Sequence, residues 1–247
     1  MIQQTIFPFK IETTKERLTA HEGLALMWIF NPGIGLGELT DRYLQSPRSN
    51  RGFDPLVLML QGGGRRLEDL SELKQEEGLM RLIGRDEILE PDTVGDWLRR
   101  RGDPNIGQEG LKGLGELRDK LNGRILKRDG IEPYTLDADA TEILGEKADH
   151  GNKGYMPMVG YIYETGVCLY DEFPKGNVAP AFGQKEFYLQ CKQRMLWGKK
   201  IGCYRADRAS YQADIFIQLE EDGVRYRITA DQDKAVKKVI GLIDQKD

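Results

Sequence analysis

Tyr134-Thr135-Leu136-Asp137-Ala138-Asp139-Ala140-Thr141 is the stretch whose reading decides the rest of the chain. Its opening residues, Tyr134–Leu136, read as a short strand that runs into two acids. A second stretch, Ile201-Gly202-Cys203-Tyr204-Arg205-Ala206-Asp207, reads as another strand ending on an acid. Two strands that each deliver a carboxylate at their end suggest a Mg²⁺ site, because that ion takes oxygen ligands, usually one or two carboxylates together with phosphate oxygens and water. Asp139 and Asp207 are the leading ligand candidates. Asp137 lies two positions before Asp139, so a regular strand points both to one face. It stands as a further ligand or as the ligand in place of Asp139. Acids at strand ends are also common turn-formers, and either aspartate alone carries little weight. The pair carries more.

Outward from these two stretches, the C-terminal half has a consistent grammar. Strands are expected at Tyr134–Leu136, Tyr155–Tyr163, 167–173, 199–204 and 224–229. Helices are expected from about 185 to 197, from 211 to 221 and from 234 to 243, the last with Ala235, Val236, Val239, Ile240 and Ile243 as its apolar set. The order is β-β-β-α-β-α-β-α, which describes an α/β protein with a mixed sheet and flanking helices. It is the order of an RNase H-like core, in which the first and fourth strands lie side by side. Acids at their ends would meet across 68 positions of sequence. Two-metal phosphoryl chemistry needs such carboxylates, held on rigid elements, to place two ions about 4 Å apart.

Residues 20–128 read differently, as a mostly helical region of short helices. Thr19 and Glu22 have capping-box spacing before an apolar run through Phe30, and Thr93 and Asp96 repeat it after Pro91. Leu111, Leu114, Leu121 and Ile125 recur at helical steps. Gly110, Gly113, Gly115 and Gly123 weaken that helix by roughly 1 kcal/mol each relative to alanine. The glycines at 33, 35 and 37 lack GxGxxG spacing and follow a helix, so they do not make a nucleotide loop. The expected division is a helical N-terminal region, 1–130, and a core, 131–247.

Composition narrows the function classes. The 247 residues are 39% hydrophobic and 31% charged, in the range of globular proteins. No apolar run approaches the roughly 20 residues of a membrane helix, and the start has no secretory signal pattern. Three scattered cysteines, 168, 191 and 203, fit free thiols in a reducing cytoplasm. The net charge of −4 argues against a protein that coats DNA, yet Trp97–Arg128 and Lys185–Arg208 are each locally +5. The second run adjoins the acids. Lys199, Lys200 and Arg205 are therefore candidates for phosphate contacts. His150 is the one histidine of the second half, which leaves Ser-His and Cys-His catalysis without support. Tyr161, Tyr163, Phe187 and Tyr188 read as core before they read as base-stacking platforms.

At this point the residues resemble a known family. Leu136-Asp137-Ala138-Asp139-Ala140-Thr141 resembles the first acidic motif of the DDE transposases of bacterial insertion sequences. Gly151-Asn152-Lys153-Gly154-Tyr155-Met156-Pro157-Met158 is similar to the segment that follows it there. Tyr204-Arg205-Ala206-Asp207-Arg208-Ala209-Ser210-Tyr211 resembles the second motif, and Leu67–Leu73 and Pro91–Val94 resemble the helical N-terminal region. The resemblance belongs to the Tyr-Arg-Glu branch. It implies a transposase that binds element ends, cleaves DNA with two Mg²⁺ or Mn²⁺ ions and joins 3′-hydroxyls to target DNA. It also implies a homodimer on double-stranded DNA, end recognition by the N-terminal helices, and Asp139 over Asp137 as the first catalytic acid. Two departures stand out. Arg208 replaces the usual serine. The third acid, a glutamate in a Tyr-x-x-Arg-x-x-x-Glu pattern beyond the fifth strand, has no counterpart: Glu220 and Glu221 precede that strand, and Asp244 is a poor substitute. The expectation is a truncated transposase. Its rivals are a DNA-binding fragment without turnover and a metal-dependent nuclease of the same core.

Overall fold

The computed structural model describes residues 19–44, 53–103, 105, 109–141, 143–144, 154–174, 181–230 and 234–242. The chain divides into two compact units, Met1–Leu114 and Gly115–Asp247.

The first unit is helical. Its elements are α1 (Glu22–Gly33), α2 (Leu36–Leu44), α3 (Phe53–Gln61), α4 (Asp69–Gln75), α5 (Glu77–Leu82) and α6 (Pro91–Gly102); α7 (Glu109–Leu126) runs through the division. Leu24, Leu39, Leu58, Leu70, Leu79 and Trp97 supply its buried apolar side chains. Asn31 on α1 and Gln61 on α3 exchange two amide hydrogen bonds, which satisfies the buried Asn31. Neither expected capping box forms. Thr19 accepts from the His21 N–H and donates to Glu76, leaving His21 at the N-cap. Pro91 opens α6 after Glu90, because proline at the first helical position loses no hydrogen bond there, and Asp96 pairs with Arg99 instead. The apolar stripe expected on α7 is also displaced. Leu111, Leu114 and Ile125 are exposed, whereas Gly110, Gly113, Leu117 and Leu126 are buried. A Cβ on Gly113 would lie 2.0 Å from the Tyr43 carbonyl oxygen. Two of the glycines that lower helix propensity, Gly110 and Gly113, permit close backbone approach.

The second unit is built on a five-stranded sheet. Its strands are β1 (Tyr134–Ala140), β4 (Met158–Ile162), β5 (Val167–Glu172), β6 (Ile201–Ala206) and β7 (Arg225–Ile228), in the order β5-β4-β1-β6-β7. Between β1 and β4, β2 (Ile143–Leu144) and β3 (Gly154–Tyr155) form a separate two-stranded ladder, which splits the single second strand expected from sequence. Strand β1 is central, antiparallel to β4 and parallel to β6; β7 is parallel to β6. Helices α8 (Gln184–Gln193) and α9 (Ala213–Glu221) make the crossovers, and α10 (Lys234–Ile240) follows β7. This is the mixed RNase H-like sheet with flanking helices and a helical region before it, as read from sequence.

The alternation along β1 sets the two faces. Tyr134, Leu136 and Ala138 point into a core closed by Phe187, Tyr188 and Cys191 of α8 and Ile215 and Leu219 of α9. Burial pushes the Cys191 thiol up to about 12, which marks it as a packing group. Thr135, Asp137 and Asp139 point to the other face. At the free edge of β5, the Asn122 amide of α7 donates to the Cys168 carbonyl and Arg118 pairs with Asp171.

Gly160 shows how tight the core is. An added Cβ would lie 2.6 Å from Cys191 Sγ and 3.4 Å from Leu136 and Phe187. Gly160→Ala is expected to cost about 2 kcal/mol by overpacking, read as a lower denaturant midpoint with unchanged m. At the end of α9, the Asp222 carboxylate accepts from the Tyr188 hydroxyl at 2.8 Å and from the Lys192 ammonium at 2.7 Å. Burial alone would raise its pKa, but these donors outweigh it and hold the carboxyl below its usual value. A carboxylate lowered on folding stabilises above the unfolded value near ~3.9 and loses that contribution as pH falls through the folded one. Asp222→Asn is expected to cost about 1–2 kcal/mol at pH 7 and progressively less below about pH 4, measured by urea unfolding across pH.

Candidate active site at the strand ends

Two parallel strands in register carry neighbouring side chains to the same face at the same height. Leu136 pairs with Tyr204, Asp137 with Arg205 and Ala138 with Ala206. Asp207 follows β6 in an extended conformation, φ −79° and ψ −173°. The paired register ends at Ala138 and Ala206, and Asp139 and Asp207 are the next residue of each chain. Both are exposed.

Each carboxylate is held from its own chain. Asp139 Oδ1 accepts from the Ala140 N–H at 2.9 Å. Asp207 caps the short 3₁₀ helix Arg208–Ser210, its Oδ1 accepting from the Ala209 N–H at 2.9 Å. One oxygen of each is held in this way. Such a pair of oxygen donors suits a hard divalent cation. Among the described residues, no group of three or more acidic, histidine or cysteine side chains is placed to hold a metal ion.

Asp137 is placed differently. Both its oxygens accept from Arg205, Nε to Oδ1 and Nη2 to Oδ2, in a bidentate pair. The same carboxylate holds the Arg205 pKa above its ordinary value. The guanidinium also lies 4.2 Å from the Tyr163 ring centroid. Arg205 is therefore committed to Asp137 and Tyr163, and this clamp ties β6 to β1 one step before the two acids. Lys199 and Lys200 immediately precede β6, at its other end, roughly 20 Å away along a six-residue strand. Lys199 donates to the Ile131 carbonyl at 2.8 Å and lies 3.6 Å from Asp129, while Lys200 is exposed. The structure thus makes Asp139 and Asp207 the residues that follow the last paired positions of β1 and β6, pairs Asp137 with Arg205, and sets both lysines at the other end of β6. Glu220 accepts from the Tyr226 hydroxyl. Asp244, His150 and the Gly151–Lys153 part of the segment that follows the first motif lie outside the described residues.

A buried polar chain beneath Asp207 escaped sequence reading. The Tyr204 hydroxyl lies 3.2 Å from Ser210 Oγ, which donates to Gln184 Oε1 on α8. All three residues are almost completely buried. Gln184 precedes Ser210 by 26 positions, and no spacing rule joins them. The chain fixes the 3₁₀ turn that Asp207 caps. Ser210→Ala is expected to destabilise the protein by about 1–3 kcal/mol, read by thermal unfolding, because it removes the shared partner of two buried groups. Tyr161 and Tyr163 also depart from expectation: they are 43% and 62% exposed, on the face that α8 and α9 leave uncovered, while Phe187 and Tyr188 are core as expected.

No family model matches the chain, and no curated protein matches its sequence. Three solved structures similar to it are complexes of Mos1. The Mos1 strand transfer complex is 12% identical over 80% of this chain and 65% of its own, with TM-score 0.31. The Mos1 transposase paired-end complex with the left transposon end is 12% identical over 91% and 90%, with TM-score 0.28. The Mos1 mariner paired-end complex with Mn shares the same identity and coverage, with TM-score 0.27. Against the first of these, the chain spans slightly less than two thirds of the other's length.

Proposed function

We propose that the chain is a metal-dependent DNA-cleaving enzyme of the transposase type. The observation that supports the reading is the parallel register of β1 and β6 through Ala138 and Ala206, with Asp139 and Asp207 as the next residue of each chain. Bound between these carboxylates, Mg²⁺ or Mn²⁺ would supply charge stabilisation at a phosphodiester and a more acidic water or hydroxyl. Asp139 and Asp207 would hold and orient the ions from the ends of adjacent strands. The Arg205–Asp137 clamp keeps the two strands in register, and the Tyr204–Ser210–Gln184 chain keeps the Asp207 turn in place. In the hydrolytic step, the oxygen of water bonds to phosphorus and the 3′-oxygen leaves with a proton. In strand transfer, that 3′-hydroxyl attacks a second phosphodiester and displaces the corresponding oxygen.

The helical first unit is proposed to recognise element ends on double-stranded DNA, with two copies acting on paired ends. The domestic context we favour is a bacterial insertion sequence, on the motifs around Asp139 and Asp207. A second reading is favoured by the missing third acid among the described residues: a DNA-binding protein without turnover. Incubation of the full chain with supercoiled plasmid and Mg²⁺ or Mn²⁺ separates them. Metal-dependent nicked circles that vanish with EDTA support the enzyme. Binding without nicking supports the second reading. Joining of a labelled 3′-end to plasmid separates a transposase from a nuclease, which yields hydrolysis alone.

A further inference from the structure

The sheet face that carries Asp137 and Asp139 continues across β6 onto β7. Cys203 pairs with Arg225 and Arg205 with Arg227, so both β7 arginines stand on this face. Together with Tyr163 and Glu164 from the β4–β5 turn, and Thr135 at the base, they line a groove of about 730 Å³. Its carboxylates are already engaged. Glu164 accepts from the Thr135 N–H with both oxygens at 3.0 Å, and Asp137 is held by Arg205. Arg225 and Arg227 are exposed and form no ion pair among the described residues.

This arrangement has a cost. Arg205 and Arg227 are direct cross-strand neighbours, and like charges so placed repel. A chain of net charge −4 has gathered three guanidinium groups at one groove, beside the two carboxylates of Asp137 and Glu164. A bound polyanion would relieve the repulsion. Beside the arginines, Tyr163 and Tyr161 are exposed aromatic rings on the same face. A basic groove with aromatic side chains along it is the arrangement that binds single-stranded nucleic acid: charge follows the backbone, and bases stack on rings whatever their sequence. A paired base in a duplex cannot offer its face in that way.

We propose that this groove binds a single strand of nucleic acid, with backbone phosphates on Arg225 and Arg227 and a base stacked on Tyr163. The choice of nucleic acid as the occupant rests on the function proposed above. The groove begins at the Thr135 end of β1, four residues and roughly 13 Å from Asp139 on the same face. A strand lying in it therefore leads to the paired acids and holds the unpaired end beside the cut.

The test is fluorescence anisotropy of the full chain with a labelled oligothymidine and with a duplex of equal length, in EDTA, over a salt series. The single strand is expected to bind more tightly than the duplex. Arg225→Gln/Arg227→Gln is expected to weaken single-strand binding at least about tenfold and to flatten the slope of log K against log salt by about 1.4, the value for two lost phosphate contacts. Tyr163→Ala is expected to weaken binding about fivefold or more with the slope unchanged. Thermal unfolding checks that the variants fold; if the double variant does not, Arg227→Gln alone should give half the slope change. Unchanged slope in the arginine variants, or a duplex that binds as tightly through the same residues, overturns the proposal. Because EDTA removes any metal-dependent step, loss of nicking with this binding pattern intact would refute the catalytic reading alone.

Discussion

Asp139→Ala and Asp207→Ala are each expected to lower metal-dependent nicking by on the order of a thousandfold, because on the proposed reading a bound ion would supply several kcal/mol of transition-state stabilisation and each carboxylate would be half of what holds it. The measurement is the rate of nicked-circle formation from supercoiled plasmid in Mg²⁺ and in Mn²⁺. Neither substitution should unfold the protein, since both side chains are exposed. Asp207→Ala also removes the acceptor that caps the Arg208–Ser210 turn, worth about 1 kcal/mol. Asp207→Asn keeps an oxygen for the Ala209 N–H and changes only the charge, so activity lost in Asp207→Asn is attributable to ion binding. Asp137→Ala is the contrasting case. It breaks the clamp with Arg205, and its effect should be smaller than that of Asp139→Ala and insensitive to metal concentration. If Asp137→Ala abolishes nicking while Asp139→Ala leaves it intact, the ligand is Asp137 and the assignment of the first acid is wrong.

The sheet was legible because its strands carry their own signals. Leu136 and Ala138 alternate with Asp137 and Asp139, and the element order leaves few topologies that avoid crossed connections. That β1 and β6 lie side by side followed from that order alone. What the sequence hid depends on contacts between distant residues. Nothing local to Arg205 says that its guanidinium is spent on Asp137, and a basic residue beside an acidic motif reads equally well as a phosphate ligand. The exposure of Tyr161 and Tyr163 was hidden for a related reason. Alternation assigns them a common face, but only the placement of both crossover helices on the opposite side decides which face is core. On α7 the error ran the other way: leucine spacing suggested a buried stripe, whereas Gly110 and Gly113 form the packed side, since close backbone approach selects for a missing side chain. The α2 helix was not singled out among the short helices expected there; Gly35, at φ 72°, makes the turn and α2 starts at the next residue.

Tyr204→Ala is expected to have the largest effect on stability, about 4 kcal/mol, because a fully buried aromatic ring leaves a cavity on a strand beside the centre of the sheet. Its ring meets Tyr188 edge-on at 5.7 Å between centroids, so the loss includes an aromatic contact beyond the buried area. Tyr204→Phe separates the two roles of the side chain. It keeps the ring and removes only the hydroxyl that faces Ser210, at an expected cost of about 1–2 kcal/mol. Urea unfolding of both variants measures the difference. The hydroxyl sits in the chain that runs through Ser210 to Gln184 and ends at the turn capped by Asp207. Loosening it should therefore act on the site as well as on the fold. In Tyr204→Phe, nicking should demand more Mg²⁺ for half-maximal rate, with little change at saturation, because the ligand is less well held but still present. If Tyr204→Phe is destabilised as expected while its metal dependence matches the parent chain, the buried polar chain supports the sheet and does not position Asp207.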